Sequence, residues 1–570
     1  MNEIIIDYET TGLYYYKGAR VFSYILTWID TGESEIYDND NPLFLQRLKE
    51  IWENPLIIKI CHNLKFEYKF TISMGIKVKG TLHDTMIMHQ YLNNLGPRHS
   101  LDYCFFQYCG YDKDFANAWD EVTKAQKIYK NQFEKIPRET MHKYQEKDGQ
   151  ATALLFQTMR KYIEKDKNYL DDLKVACLTG EIENYGIAVN EKECKKLIDF
   201  MQNELKDTEV KLNKLNVQIN LNSPKQLQKV LFDDYKFPIL TYTDSNLPAT
   251  DKEALETLRK VNNHPIIDLI LKNRSYTKGI SMVESYLQAR DSNGILHPNI
   301  NTNANKTGRA SSNDPNMQNV SKELALKNKY PVPARNCFCA RVKTILFLID
   351  YAGIEMRLGV QGTKSERLYK LAREGFDFHD ACAKSFYGAR YTNEQDLKFK
   401  KALRSSAKNA RFAMFYGAGL KQVARTLGLT IEETQAGYEK DKIDFPEFYK
   451  FMDDCTLFAK ENGYIETFFG RKLKVYPNKP YSATDYCIQG TAAQILKKAK
   501  IRLHEYFKNK NIFLLLDIHD EIIIEFPRSL LFQREEILKE VKRLMTEFDE
   551  ITVPLDIEIK MTTTLWSKAK

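Results

Sequence analysis

Acidic residues stand in this chain where β-strands would present them in pairs. In the run Ile4-Ile5-Ile6-Asp7-Tyr8-Glu9, side chains alternate across a strand, so Asp7 and Glu9 project to one side and can share a hard divalent cation. Farther along, the apolar run Thr344–Ile349 delivers Asp350 to its end. Residues 512–525 read as two β-prone runs with a polar tip, His519-Asp520-Glu521, between them. If these two tips meet, Asp350 and Asp520 can bridge two cations about 3.5–4 Å apart, which stabilises both the attacking and the leaving oxygen in phosphoryl transfer. Between them, Arg404, Lys408, Phe412 and Tyr416 recur every four residues. On a helix they make one stripe about 18 Å long, basic at one end and aromatic at the other. Arg404 and Lys408 suit a triphosphate, with Lys408 placed to protonate or polarise a leaving pyrophosphate, and Phe412 and Tyr416 suit a sugar and base. Tyr144 and Asp148 share a helix face, and Glu67 closes the run His62-Asn63-Leu64-Lys65-Phe66-Glu67. Taken singly, each has an ordinary alternative: a solvated strand edge, a capped surface hairpin, an amphipathic helix with snorkelling cations.

The elements that position these residues belong to a chain of 570 residues, long enough for several cores. Its composition, 43% hydrophobic and 28% charged, is that of a globular protein. No apolar run approaches the roughly 20 residues of a membrane span, so no membrane association is expected. The ten cysteines are scattered without a CxxC pair, which argues against a zinc site or a disulfide framework and for a reducing, cytoplasmic setting. The opening Met-Asn-Glu-Ile-Ile-Ile-Asp shows no secretory leader. A net charge of +8 is compatible with a polyanionic partner without singling one out. Strand-like and helix-like segments alternate to about residue 165. Long charged helical stretches, punctuated by Pro224 and Pro238, follow from about 176 to 295, and helices then mix with short β-rich runs. There is no internal repeat.

Order adds what no single motif carries. DxETTG from Asp7, HNLKFE ending at Glu67, HDT with GPRHSLDY, and Tyr144-x-x-x-Asp148 follow one another as in the proofreading exonucleases of family A DNA polymerases, which this part of the chain resembles. Asp350-Tyr-x-x-Ile-Glu355-x-Arg357 and His519-Asp520-Glu521 are similar to that family's A and C motifs. Arg404-x-x-x-Lys408-x-x-x-Phe412-x-x-x-Tyr416-Gly417 resembles its O-helix and is the most specific of these patterns. Thr307–Asn319 and Gln489-Gly490-Thr491-Ala492-Ala493 are similar to its duplex-binding segments, and Asn220–Leu227 to its thumb.

The resemblance implies an α/β and α+β multidomain fold. An RNase H-like 3′–5′ exonuclease domain is expected over 1–165 and a right-hand polymerase over 166–570, with the thumb at about 176–298, the palm at about 299–362 and 476–570, and the fingers at about 363–475. It implies a template-directed DNA polymerase using two Mg²⁺ per active site, with Mn²⁺ able to substitute. Asp350, Asp520 and the Tyr351 backbone would hold the metals for synthesis; Asp7, Glu9, Glu67 and Asp148 would hold those for excision, with Tyr144 beside the attacking water. Glu355 would be the steric gate against the 2′-OH. His519 and a catalytic Glu521 would lie near the primer end. Arg309, Asn316, Gln318 and Gln489 would hold the duplex through groove acceptors common to every base pair. The implied partners are primer-template DNA and dNTPs, with helicase, primase or single-strand-binding protein beside a monomeric enzyme. The lack of a 5′ nuclease segment points to a compact, phage-like replicative type. Two positions depart from the pattern. Glu67 stands where the family has aspartate, so excision is expected to be slowed or its metal preference altered. Asp485 stands where asparagine is usual, and that contact is not carried over. The alternatives are a single-subunit RNA polymerase, against which Glu355 and the exonuclease set argue, and a nuclease whose polymerase half only grips DNA.

Overall fold

The computed structural model describes residues 2–570 other than 97, 131, 244, 303 and 321–331. Its N-terminal sheet is built on β1 (Glu3–Thr10), whose Ile4, Ile5 and Ile6 are fully buried. Around it lie β2 (Val21–Trp28), β3 (Ser34–Asp38), β4 (Ile58–Cys61) and β5 (Leu82–Asp84), in the order β3-β2-β1-β4-β5. β1 runs antiparallel to β2 and parallel to β4, the RNase H-like arrangement. Toward the end of β1 burial alternates: Tyr8 and Thr10 are buried, while Asp7 and Glu9 are half-buried on the opposite face.

Helices complete the site face of this sheet. α1 (Leu64–Ser73) carries Glu67, and its start is fixed by the HDT aspartate: Asp84, 1% exposed, accepts from the Leu64 N–H at 2.7 Å while also capping the next helix through the Met86 and Ile87 N–H groups. α2 (Lys113–Tyr129) and α3 (Arg138–Ile163) follow. α3 can lie close on β2 because residue 149 is glycine. A Cβ there would sit 2.3 Å from Thr27 Oγ1, and the close approach brings the adjacent Asp148 toward the carboxylates of β1.

α4 (Lys167–Tyr185) begins where the boundary between the two units was expected, and it belongs to both. Tyr169, Leu173 and Ala176 join the core of the first unit, Leu178 and Ile182 that of the second. The long helices α5 (Glu191–Lys214) and α6 (Pro265–Ala289) pack on one another as the thumb. The palm is a four-stranded antiparallel sheet of β6 (Thr344–Tyr351), β7 (Phe513–Ile518), β8 (Glu521–Pro527) and β9 (Ile557–Thr562), in the order β7-β8-β6-β9. α7 (Ile354–Thr363) leaves β6; the fingers contribute α8 (Phe378–Tyr387) and α9 (Leu397–Phe415), and the chain returns through α10 (Ala483–Phe507). Among the described residues no helix is long and apolar enough to cross a membrane.

One buried ion cluster ties the first unit to the palm. Glu183 of α4 receives Lys65 Nζ at 2.6 Å and Lys69 Nζ at 3.0 Å, both from α1, and the Ile300 N–H at 2.7 Å. Lys65 also donates to the Ile300 carbonyl and to Asn299. Removing one member of such a cluster strands the others without compensation. Glu183→Ala is therefore expected to lower stability by about 3–5 kcal/mol, read as a downward shift of the first thermal transition; an unchanged melting profile would contradict this account of the junction.

Candidate active sites

The palm brings the two distant acidic tips together. β6 pairs with β8 so that Asp350 lies opposite Glu521 and Ile349 opposite Ile522. β7 returns along β8 with Ile518 opposite Glu521, which leaves His519 and Asp520 as a two-residue tip, His519 at φ +54°. The Tyr351 N–H donates to the Asp520 carbonyl at 3.2 Å. Gln318 braces the tip from a third side: its Nε2 donates to the Asp517 carbonyl at 2.7 Å and its Oε1 accepts the His519 N–H at 3.1 Å. Asp350 and Asp520 share the wall of a cavity of about 290 Å³ with Tyr351, Glu355, Lys408 and Phe412.

Glu355 sits in the first turn of α7, where both carboxylate oxygens are occupied. Arg309 Nη2 donates to Oε1 at 2.7 Å and the Tyr416 hydroxyl to Oε2 at 2.9 Å. The same Arg309 nitrogen is 3.9 Å from Asp520, so one guanidinium offsets two acidic groups of the site. α9 buries Ala407, Ala410 and Met414 against the fingers and presents the opposite stripe. On it the Phe412 and Tyr416 rings stack at 6.4 Å, and Lys408 Nζ lies 5.7 Å from the Phe412 ring. The described helix ends at Phe415, and Tyr416 is its cap.

Three of the expected site residues are engaged by protein partners. Arg404 does not line the cavity: its Nη2 is 2.6 Å from Asp377, the residue that caps α8. This pair is partly exposed, and such pairs exchange partners at little cost. Glu521 is not at the cavity surface either. It is 4% exposed and held in an ion pair with Arg335 at 2.9 Å. Asn316 caps the 3₁₀ turn Met317–Asn319, accepting the Asn319 N–H at 3.2 Å. Arg335 was not foreseen, and its sequence context offered no signal. Asn316 and Gln318 still border a second cavity of about 570 Å³, together with Arg309, Asp485, Gln489 and Asp520.

The exonuclease carboxylates gather differently. Glu67 and Asp148 are buried, and Glu67 Oε2 has no hydrogen-bond partner among the described residues. Burial pushes Asp7 up to about 7. Burial, then the charges of Asp7 and Asp148, holds Glu9 well above the carboxylate range. Glu67 is raised by burial and by Asp7, and Asp148 by burial and by Asp7. Tyr144 is raised by burial and by Asp148, Glu9 and Asp7. The four carboxylates and the tyrosine therefore share one locality. Among the described residues no three His, Cys, Asp or Glu side chains form a closed metal cage. Mg²⁺ does not require one, because it is commonly held by one or two carboxylates with water and phosphate oxygens. Crowded acids that burial keeps from ionising, one with an orphaned oxygen, fit a hard cation.

Asp485 generates a test of its own. Burial pushes it up to about 7, with Arg309 pulling down and Glu355 pushing up, and its Oδ1 has no hydrogen-bond partner among the described residues. The ordinary value is 3.8, so between roughly pH 4 and 7 the folded chain keeps a proton that the unfolded chain releases. The stability contributed is present below that window and lost as pH rises through it. The Tm of the parent should fall relative to Asp485→Asn between pH 5 and 8; a constant offset between the two would refute this assignment.

Comparison with known proteins agrees with this architecture. Residues 191–568 match DNA polymerase family A, and residues 1–164 match a 3′–5′ exonuclease family. DNA polymerase I of Pseudomonas aeruginosa is 26% identical over 545 residues, covering 91% of this chain and 57% of that protein. DNA polymerase I of Bacillus subtilis is 28% identical, covering 85% and 55%. The thermostable DNA polymerase I of Thermus thermophilus is 30% identical over 357 residues, covering 60% and 41%. The chain thus spans about half the length of these curated relatives. The fold superposes with a TM-score of 0.83 and 22% identity on the POL domain of Pol1 from M. smegmatis, solved in complex with DNA primer-template and dNTP, covering 99% of this chain and 95% of that one. The chain belongs to DNA polymerase family A and carries a 3′–5′ exonuclease domain ahead of the polymerase domain.

Proposed function

We propose that this chain is a DNA-directed DNA polymerase that extends a primer 3′ end with dNTPs and excises from that end with its N-terminal domain. The observation that carries the reading is the meeting of Asp350 and Asp520 at one cavity faced by Lys408 and Phe412. Two carboxylates separated by 170 positions have no structural need to adjoin beside a lysine, whereas two-metal phosphoryl transfer requires it.

Asp350, Asp520 and the Tyr351 carbonyl would hold Mg²⁺ for synthesis, and Asp7, Glu9, Glu67 and Asp148 for excision, with Mn²⁺ an acceptable substitute. The bound ions supply Lewis-acid stabilisation of the attacking and leaving oxygens. The remaining work falls to the protein. Lys408 is placed to take the phosphates and to protonate the leaving pyrophosphate. Phe412 offers an aromatic face to the incoming nucleotide, and Arg404 joins the phosphates by exchanging Asp377 for them. Glu355, held rigid by Arg309 and Tyr416, closes the space a 2′-OH needs. His519, Gln318, Asn316, Gln489 and Arg309 border the larger cavity, which suits the primer-template duplex. In the exonuclease, Tyr144 orients the attacking water. The setting we propose is replication of phage DNA by a monomer, with helicase, primase or single-strand-binding protein as companions.

The two activities should separate by mutation. Asp350→Asn is expected to lower primer extension by about 10³-fold or more, a loss of several kcal/mol of held charge stabilisation, with excision of the same primer intact; Asp7→Ala should do the reverse. Extension that survives Asp350→Asn would remove the proposed centre. Glu355→Ala should reduce the preference for dATP over ATP in single incorporation by at least about tenfold, near 1.4 kcal/mol. A parent that prefers ATP would favour the RNA polymerase alternative.

A further inference from the structure

We propose that Trp119 is a positioning residue of the exonuclease centre, whose indole N–H fixes the carboxylate of Asp148 so that a divalent cation is met by one oxygen in a set direction. This rests on the reading above that Asp148 holds metal.

The indole Nε1 donates to Asp148 Oδ1 at 2.5 Å. Trp119 comes from α2, outside the sheet and helices that carry the four acids. Its ring is wedged by Phe105, Phe106 and Phe115 at centroid separations of 5.8, 5.3 and 5.9 Å, the first two edge-on. The aromatic packing leaves the indole little freedom to turn its N–H elsewhere. Indole nitrogen is a donor only: it cannot ligate a cation and does not titrate in the working range. Its bond engages one oxygen and so sets the plane of the carboxylate, which favours single-oxygen over bidentate ligation. Mg²⁺ tolerates little departure from octahedral geometry, so such an orienting bond is felt directly in its affinity. Nothing in the packing alone asks for this contact, because a phenylalanine would fill the same aromatic cluster.

The test measures Mn²⁺ binding to the intact chain by the loss of the free-ion electron paramagnetic resonance signal, with no DNA present. The exonuclease component is the part of the isotherm that Asp148→Ala removes. Trp119→Phe should weaken that component about tenfold, the low end of outer-shell effects, and leave primer extension unchanged. Replacing Trp119 by benzothienylalanine, which keeps the bicyclic shape and exchanges N–H for sulfur, should do the same in a chain that packs as the parent. Phe115→Leu, which loosens the cluster and keeps the N–H, should weaken the component less than either Trp119 variant does. Parent-like binding in both Trp119 variants would overturn the proposal, as would equal weakening by Phe115→Leu. An isotherm that Asp148→Ala does not alter would instead overturn the underlying metal assignment.

Discussion

The palm depends on one antiparallel pairing, that of β6 with β8, made between residues 171 to 183 positions apart. Strand side chains repeat with a period of two, so a slip of one residue would turn Asp350 away from the cavity and bring Ile349 to it. Several features resist such a slip. Ile345, Leu348 and Ile349 on β6 and Ile522, Ile523 and Ile524 on β8 are almost fully buried, so any other register exposes apolar surface. Gln318 locks the tip of the β7–β8 hairpin, and the Tyr351 N–H to Asp520 carbonyl bond closes the end of the pair. The entire fingers unit is an insertion between the paired strands. It can differ in size or motion without moving the acids.

The two candidate centres treat their negative charge in opposite ways. In the palm, Arg309 lies between Glu355 and Asp520, Arg335 neutralises Glu521, and Lys500 neutralises Asp517 beneath the hairpin. The acids are supported by protein cations, and the cavity is open enough for a large polyanionic ligand to bring more charge. In the exonuclease the acids face one another, and burial raises them, with a neutral donor, Trp119, bonded to Asp148. Such a cluster is costly until a cation arrives, which makes it selective for ligands that bring positive charge. Glu67 in place of aspartate belongs to this picture. Its longer side chain reaches from α1 into the cluster and leaves Oε2 without a hydrogen-bond partner among the described residues, so its fit depends on what is bound.

How much of this was legible in the sequence follows from where each signal was stored. Asp7 and Glu9 share a face because of strand alternation, and Lys408, Phe412 and Tyr416 share a face because of helical spacing; both periodicities are local and were readable. The meeting of Asp350 with Asp520 was readable only through the order of motifs, since no local rule pairs strands so far apart. Partner choice was the part that hid. Arg404 pairs with Asp377, Asn316 bonds within its own turn, and Glu521 pairs with Arg335, contacts that no local rule announces. Trp119 left no mark in the sequence, because an aromatic residue at helical spacing reads as core and only coordinates show where its N–H points.

The two centres are joined through shared elements. α4 lies in both cores, and Glu183 on it binds α1, which carries Glu67, and the backbone at Ile300. Residues 299–301 pair with 311–313, and Arg309 of the polymerase cavity sits in the connection between these strands. Asn94 holds that connection from the exonuclease side by donating to the Lys306 carbonyl at 3.0 Å. Buried charge and paired backbone thus fix the two centres to one frame, where separation would expose Glu183 with two lysines and cost several kcal/mol. Rigid-body swinging of one domain over the other is the wrong motion for such a junction. On the proposed reading, a primer end that leaves Asp350 and Asp520 for Asp7 and Asp148 must do the travelling itself, by melting from its template and crossing a fixed distance.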